Sequence, residues 1–302
     1  MEQAYHVPVM LKECIDGLEI NPAGIYVDVT FGGGGHSKAI LDKLTTGKLY
    51  GFDQDQDVKA NADKMNHPAF TLIEANFRYL KKYLRLHGVN KVDGILADLG
   101  ISSHQIDTPE RGFSIRFDAD LDMRMNQMGS VTAKNIVNEY SEHDLHRIFG
   151  MYGEIKNAKS LAAQVVRARA SKPLSTVYEL KDAVRALVKK GEENKYFAQM
   201  FQALRIDVND ELKTLEEMLM GTIDVIKPGG LLVVMSYHSL EDRLVKNFIQ
   251  KGKFHGDVEK DFYGNEIKPF EAVNRKLIEA SEEEVLRNNR ARSAKLRIAR
   301  KL

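Results

Sequence analysis

Cysteine is almost absent: Cys14 stands alone in 302 residues. One thiol excludes an intramolecular disulfide, and it excludes a zinc cage built from cysteines. A chain without disulfides suits a reducing compartment, and the expectation is a cytoplasmic protein. Long apolar runs are also missing. None approaches the roughly 20 residues of a membrane-spanning helix, so no membrane partner is expected. Residues Met1 to Met10 carry acid, aromatic and proline residues where a signal peptide has a basic and then an apolar stretch, so no leader is expected. Net charge is close to zero, with 44 Lys+Arg against 43 Asp+Glu. Apolar residues make up 43% of the chain, which excludes a wholly disordered protein. A chain of this length buries about three quarters of its unfolded surface, enough for one large domain or two modest ones.

The charge is unevenly placed. Val285 to Leu302 holds seven basic residues (Arg287, Arg290, Arg292, Lys295, Arg297, Arg300 and Lys301) and no acid. Lys156 to Lys190 holds nine basic residues and two acids, Glu179 and Asp182. Two basic stretches on a neutral protein suggest a polyanion partner, and solvated helix faces explain them equally well.

Short β-rich runs and helical stretches alternate through the first third. Gly24 to Val29, Lys48 to Asp53, Phe70 to Ile73 and Val92 to Asp98 read as strands. His36 to Leu44 and a polar stretch ending at Met65 read as helices. That alternation implies crossover connections and a parallel sheet covered on both faces, a doubly wound α/β fold. It stops from about His104 to about Ile206, where Ala158 to Ala170 and Val177 to Lys190 follow the helical period and Lys172-Pro173 separates them. The expected organisation is a discontinuous domain, 1–103 and 207–302, interrupted by a helical insert, 104–206. The sheet resumes after a helix from Asn209 to Ile226. Pro228-Gly229-Gly230 reads as a turn and Leu231 to Ser236 as a fifth buried strand. Ser239 is the expected N-cap of a helix running to about Lys251. Segments near Ala272 to Leu277 and Ala294 to Ala299 read as final edge strands.

The strongest local signal is Asp28-Val29-Thr30-Phe31-Gly32-Gly33-Gly34-Gly35-His36-Ser37, where the first strand turns into the first helix. Consecutive glycines let a ligand approach the backbone, and a helix start offers free N–H groups. The run is not a dinucleotide fingerprint, because the third glycine position is Ser37, and no Gly-Lys-Ser/Thr of a P-loop follows. Asp53 ends the second strand about twenty residues later, where an acid can accept hydrogen bonds from both ribose hydroxyls of a nucleoside. Asp53-Gln54-Asp55-Gln56-Asp57 resembles half a calcium loop, but Val58 and Lys64 stand where glycine and glutamate belong, so no metal is expected.

Asp98, in Asp98-Leu99-Gly100-Ile101-Ser102-Ser103, ends the fourth strand beside the glycine turn. It is a candidate to bind the amino-acid part of a ligand or a substrate amine, and a loop acid satisfied by Ser102 or Ser103 is the plain alternative. His238 follows the fifth strand and is either a general base or a positioned loop histidine. Met123 and Met125 around Arg124 fit an adaptable pocket or ordinary core packing.

Together these segments resemble the ribosomal RNA small subunit methyltransferase H family. The stretches that carry the resemblance are His6-Val7-Pro8-Val9-Met10, Thr30-Phe31-Gly32 with Gly34-Gly35-His36-Ser37, and Asp98-Leu99-Gly100 with Ser102-Ser103 and Gln105. Arg111-Gly112-Phe113-Ser114, Leu121-Asp122-Met123-Arg124-Met125 and Phe201 to Ile206 with Val208-Asn209 follow. His238-Ser239-Leu240-Glu241-Asp242-Arg243 and Arg290 to Arg297 complete the set, which spans almost the whole chain in one order. The resemblance implies a class I, Rossmann-like methyltransferase sheet of seven strands with a helical substrate-recognition insert. It implies an S-adenosylmethionine-dependent enzyme that methylates N4 of a cytidine, C1402, in the decoding centre of bacterial 16S rRNA, with that RNA within the small ribosomal subunit as its partner. The family's cofactor contacts carry over to Gly34, Gly35, His36, Asp53, Phe77, Asp98 and Gln105. Asp98 and His238 are the candidate catalytic residues, and Arg111, Arg124, Arg290, Arg292 and Lys295 the candidate RNA contacts. Three departures stand out: Gly33 where the family often has another residue, Tyr237 where Phe is usual, and Gly153-Glu154-Ile155-Lys156-Asn157 in the insert.

Two other classes stay open on the sequence: a nicotinamide-dependent oxidoreductase, against which the broken fingerprint counts, and a non-catalytic rRNA-binding assembly factor with a vestigial nucleoside pocket. A homodimer is neither required nor excluded.

Overall fold

The computed structural model describes residues 8–274 and 276–302. His6 and Val7 of the first motif, the start of the expected leaderless N-terminus, and Arg275 lie outside the described residues. The chain divides into two compact units, one made of residues 1–100 and 212–302, the other of residues 101–211.

The first unit opens with α1 (Leu11–Gly17), β1 (Ile25–Asp28), α2 (Gly35–Leu41), β2 (Lys48–Asp53), α3 (Lys59–Met65), β3 (Phe70–Glu74), α4 (Leu80–Leu86) and β4 (Val92–Asp98). The second unit carries α5 (Ser103–Asp107), α6 (Ala133–Glu139), α7 (Glu142–Met151), α8 (Ala158–Ser171), α9 (Val177–Val184) and α10 (Glu193–Asn209). The chain then enters α11 (Glu211–Val225), β5 (Ile226–Ser236), α12 (Ser239–Lys251), the short strands β6 (Glu259–Lys260), β7 (Glu266–Ile267), β8 (Phe270–Ala272) and β9 (Ile278–Glu279), α13 (Glu282–Arg287) and β10 (Lys295–Lys301).

The main sheet runs β3-β2-β1-β4-β5-β10-β8, with β9 also paired to β10. The first five strands are parallel, with Val27 beside Tyr50 on one side and Ile95 on the other. β10 is antiparallel to β5, Leu296 facing Met235. The period-two alternation of side chains explains why both faces are covered. Along β5, Leu232 and Val234 join a core with Leu80 and Leu84 of α4, Leu215 and Leu219 of α11 and Phe248 of α12. Leu231, Val233 and Met235 point the other way, into a core with Cys14 of α1, Leu18 just past it and Ile40 of α2. This is the doubly wound sheet that the alternation predicts and the Rossmann-like sheet that the resemblance implies, with a helical insert after the fourth strand.

Several local expectations are corrected. The Pro228-Gly229-Gly230 turn is embedded in β5: Val92 pairs with Ile226 and Gly94 with Leu231, so two steps along β4 match five along β5. The second predicted insert helix ends at Val184 and continues only as a 3-10 turn, Arg185–Leu187. The segment at Ala294 to Ala299 is not an edge strand, because β10 has β5 on one side and β8 and β9 on the other. Its charges are absorbed by the fold. Arg297 pairs with Asp242 at 2.7 Å and Arg300 with Glu19 at 2.8 Å.

The second unit has its own apolar core, which includes Leu145, Phe149, Leu161, Val165, Leu180, Met200 and Leu204. Thr132 and Thr176 start α6 and α9 with reciprocal capping boxes, and Ser141 caps α7. Met123 is buried in this core and Met125 packs against it, which is the core-packing alternative for these methionines. Among the described residues no helix is long and apolar enough to cross a membrane.

Because Leu161 is fully buried in the second core, Leu161→Ala is expected to cost about 2–5 kcal/mol in a chemical unfolding titration. Leu86→Ala, at a side chain 71% exposed, is expected to stay within about 0.5 kcal/mol.

Candidate active site

Parallel strands deliver their last residues to one edge of the sheet, and β1, β2, β4 and β5 deliver Asp28, Asp53, Asp98 and Ser236 there. The glycine bend begins just past Asp28. Phe31 N–H donates to the Phe52 carbonyl at 2.9 Å, which holds the bend against β2, and the Phe31 ring stacks on Phe70 of β3 at 5.1 Å. Gly34 N–H then donates back to the Phe31 carbonyl at 2.8 Å, closing a turn in which Gly34 takes φ +77°. That left-handed conformation suits glycine, and a Cβ on Gly34 would also lie 2.9 Å from Met65. A Cβ on Gly35 would lie 2.3 Å from Pro8, so packing alone accounts for glycine at that position. At Gly33 a Cβ meets nothing within 4 Å, so this glycine borders open space.

Asp28 anchors the bend. It is 1% exposed and accepts hydrogen bonds from Ser37 Oγ at 2.7 Å and Thr30 N–H at 3.1 Å. Thr30 Oγ1 in turn accepts from Asp98 N–H at 2.7 Å. Asp53 holds the other side, where its two oxygens accept from Gly32 N–H and Asp55 N–H, both at 2.9 Å. Burial raises the Asp53 carboxyl to about 6; its two backbone donors pull the other way, while Asp55 and Asp28 repel the ionised form. Asn76 Nδ2 donates to Gln54 Oε1 at 2.9 Å, tying the loop that carries Phe77 to the loop that follows Asp53. Phe77 itself packs against the sheet core as a half-buried ring.

Asp98 lies between two aromatic groups. Tyr237 Oη donates to its Oδ1 at 2.7 Å, and its Oδ2 lies 3.7 Å from His36 Nδ1. The other nitrogen of His36 lies 3.2 Å from the Val9 carbonyl and donates to it, which aims Nδ1 at the carboxylate. Burial raises the Asp98 carboxyl to about 6. His36 and the Tyr237 hydroxyl favour its charged form, and Asp28 and Glu241 oppose it. The Tyr237 phenol is raised well above its ordinary value, first by burial and then by Asp98.

His238 caps α12. Its Nδ1 accepts from Glu241 N–H at 3.4 Å, and its Nε2 lies 3.2 Å from Glu241 Oε1. The Glu241 carboxylate accepts from Tyr237 N–H at 2.9 Å and His238 N–H at 3.3 Å, completing a capping box. The cap is therefore His238, and Ser239 is the first helical residue rather than the cap. This geometry is the positioned-histidine alternative for His238.

The remaining predicted residues lie on other segments. Gln105 belongs to the second unit, where it is buried in a capping box with Ser102. Arg111 is buried there and donates to the carbonyls of Arg124 and Met125 at 2.9 and 3.2 Å. Arg124 pairs with Asp122 and donates to the carbonyls of Gln127 and Gly129. Both guanidinium groups hydrogen-bond within one loop. In the first unit Arg292 is exposed, Arg290 is half-buried, and Lys295 lies 3.8 Å from Asp242. No local pattern assigns a task to Asp28 or Thr30 or signals the Tyr237–Asp98 bond, which spans 139 positions of the chain.

Sheet order and bend together define a Rossmann-like α/β protein whose polar side chains gather at the point where the strand order reverses, on either side of β1. The model of the MraW methylase family matches residues 3–302, and the chain belongs to that family: it is a methyltransferase. It is 63% identical over 295 residues to the ribosomal RNA small subunit methyltransferase H of Cytophaga hutchinsonii, covering 98% of this chain and 99% of that one. Proteins of the same name from Christiangramia forsetii and Parabacteroides distasonis are 56% and 53% identical, covering 99% and 100% of this chain and 98% and 99% of theirs.

Asp98 carries a testable cost. The folded protein binds its proton more tightly than the unfolded chain does, so stability falls as pH rises from about 4 to about 6 and stays low above that. Asp98→Asn is expected to raise stability at pH 8 by up to about 3 kcal/mol, at roughly 1.4 kcal/mol for each tenfold change in acidity. The gain shrinks as the pH is lowered toward 4, and melting curves at pH 8 and pH 5 read the difference.

Proposed function

We propose that this protein uses S-adenosylmethionine to methylate N4 of cytidine C1402 in bacterial 16S ribosomal RNA. Family membership and the relatives' name support an rRNA substrate. The observation that carries the chemistry is the half-exposed Asp98 carboxylate at the end of β4, beside the glycine bend and held by Tyr237.

The residues of the first unit fit the cofactor. Open space borders Gly33, and the Asp53 carboxylate, already fixed by two backbone donors, retains lone pairs for ribose hydroxyls. An acidic edge lined by Asp53 and Asp98, with Asp28 buried behind it, favours a cationic ligand. In this reading Gly34, Gly35 and His36 shape the floor, Asp53 grips the sugar and Phe77 offers an apolar face. S-adenosylmethionine, when bound, supplies a methyl group made electrophilic by a sulfonium.

The protein's own task is positioning and proton handling. The N4 lone pair of cytosine is delocalised into the ring, so the amine is a weak nucleophile. Asp98 accepts its N–H bonds, localises the pair and takes the proton that N4 loses as the new N–C bond forms. An acid with a pKa near 6 is ionised and ready to receive a proton at neutral pH. His238 acts through the α12 cap rather than on the substrate. The target base must leave its stack to reach the edge of the sheet. Residues 104–206 serve as the RNA-recognition insert and residues 1–103 and 207–302 as the cofactor domain. Arg290, Arg292 and Lys295 hold phosphates, while Arg111 and Arg124 act by shaping their loop.

Incubation with labelled cofactor and unmethylated small subunits, followed by mapping of the modified nucleotide, tests the reading directly. Label at a cytosine N4 supports it. Tight RNA binding without methyl transfer would instead identify a non-catalytic assembly factor.

Two variants refine the assignment. Asp98→Ala is expected to lower turnover by at least about 100-fold with cofactor affinity nearly intact; a matching loss of cofactor affinity would place Asp98 on the cofactor's amino group. Arg290→Ala with Arg292→Ala is expected to weaken RNA binding and flatten its salt dependence, by about 0.7 in log–log slope for each lost phosphate contact.

A further inference from the structure

We infer that Tyr237 is a positioning residue for the reaction: its hydroxyl pins one oxygen of Asp98 and thereby sets both the direction of the other oxygen and the readiness of the carboxylate to take a proton. The inference rests on the proposed role of Asp98 in methyl transfer.

The geometry begins with strand pairing. β4 and β5 are parallel neighbours with Asp98 beside Met235, and Leu99 N–H donates to the Met235 carbonyl at 2.9 Å. Tyr237, two residues beyond Met235, therefore reaches across to β4. Its ring lies over Gly100, which has φ +95°; a Cβ there would come to 3.4 Å from the ring. The backbone of Tyr237 is fixed as well, because its N–H donates to Glu241. Held at both ends, the phenol has one polar destination, Asp98 Oδ1 at 2.7 Å. Among the described residues this is the one hydrogen bond that the Asp98 side chain accepts. Oδ2 is left facing His36 Nδ1 at 3.7 Å and available to a substrate amine.

A phenol this buried remains protonated across the working pH range, so it acts as a constant donor. The ionisable groups around Asp98 come from every adjoining element: His36 from α2, Asp28 from β1, Cys14 from α1, Glu241 from α12, and Tyr237 itself. Asp28 and Glu241 repel the ionised carboxylate, and His36 and Tyr237 favour it. Removing the hydroxyl takes away one of the two favourable partners without adding or deleting a formal charge. Asp98 then holds its proton to higher pH. During turnover N4 gives up one proton to Asp98 as its bond to the methyl carbon forms and that carbon's bond to the donor sulfur breaks, the sulfur leaving as a neutral thioether, so a carboxylate that is already protonated cannot serve.

The test is the pH dependence of kcat between pH 5 and 9 for the wild-type protein and Tyr237→Phe on unmethylated small subunits. The acid limb of Tyr237→Phe is expected to move up by about one pH unit, which is a tenfold change in the acidity constant. Turnover at pH 6 falls about five- to tenfold, turnover at pH 8.5 stays within about threefold, and KM for RNA and cofactor is unchanged. Replacing Tyr237 by 3-fluorotyrosine keeps the shape, makes the phenol a stronger donor and should move the limb downward. An acid limb that stays put in both variants overturns the inference, as does a rise in cofactor KM with kcat unaltered, which would place the hydroxyl on the cofactor. Thermal melting of Tyr237→Phe verifies folding, and the fluorinated protein decides the matter if that variant unfolds. Failure of the underlying reading looks different: the wild-type protein would then transfer no methyl group, or Asp98→Asn would turn over normally.

Discussion

The carboxyl edge of the sheet depends on one buried carboxylate. Asp28 ends β1, the middle of the five parallel strands, and takes hydrogen bonds from Ser37 on the first turn of α2 and from Thr30 in the bend. Thr30 passes the connection on to Asp98 at the end of β4. A carboxylate removed from water costs several kcal/mol unless donors surround it, and here the donors are the parts of the edge that must be held in place. The strand end, the helix start and the neighbouring strand end are thereby locked into one arrangement. The glycine bend keeps its course because it is strapped at both sides, by Asp28 near its start and by Asp53 at Gly32.

That arrangement concentrates negative charge. Asp28, Asp53, Asp98 and Glu241 stand on neighbouring elements, and burial raises Asp53 and Asp98 to about 6. Such a grouping lowers stability at neutral pH, and enzymes commonly accept that loss where chemistry needs a poised acid or base. Cores of Leu, Ile, Val and Phe on both faces of the sheet supply the offsetting stability.

Much of this was legible in the sequence, for physical reasons. Apolar strands bounded by glycines and acids announce a parallel sheet, and the first four strands appear within a few residues of the predicted limits. The glycine bend, Asp53 and Asp98 could be placed on one edge because parallel strands all end on the same side. What escaped depends on contacts distant in sequence. Ala294 to Ala299 reads as an edge strand in a basic stretch, yet it lies inside the sheet, with Arg297 paired to Asp242 and Arg300 to Glu19. Ser239 is the commoner helix cap, but the reciprocal bonds between His238 and Glu241 win the position. The bonds of Arg111 and Arg124 to nearby carbonyls have no local sequence signal either. No local pattern predicts that the Tyr237 hydroxyl meets Asp98.

The place of β10 between β5 and β8 bears on how the protein assembles during synthesis. β5 and β10 are far apart along the chain, with Ser236 and its partner Lys295 separated by 59 positions. As the polypeptide leaves the ribosome, β5 emerges first, and its row of N–H and C=O groups waits uncovered until the partner strand arrives. An open edge of that kind is where nascent chains mispair with one another. Cotranslational folding of the sheet is therefore a two-stage process, a parallel half that can close early and an antiparallel seal that comes late.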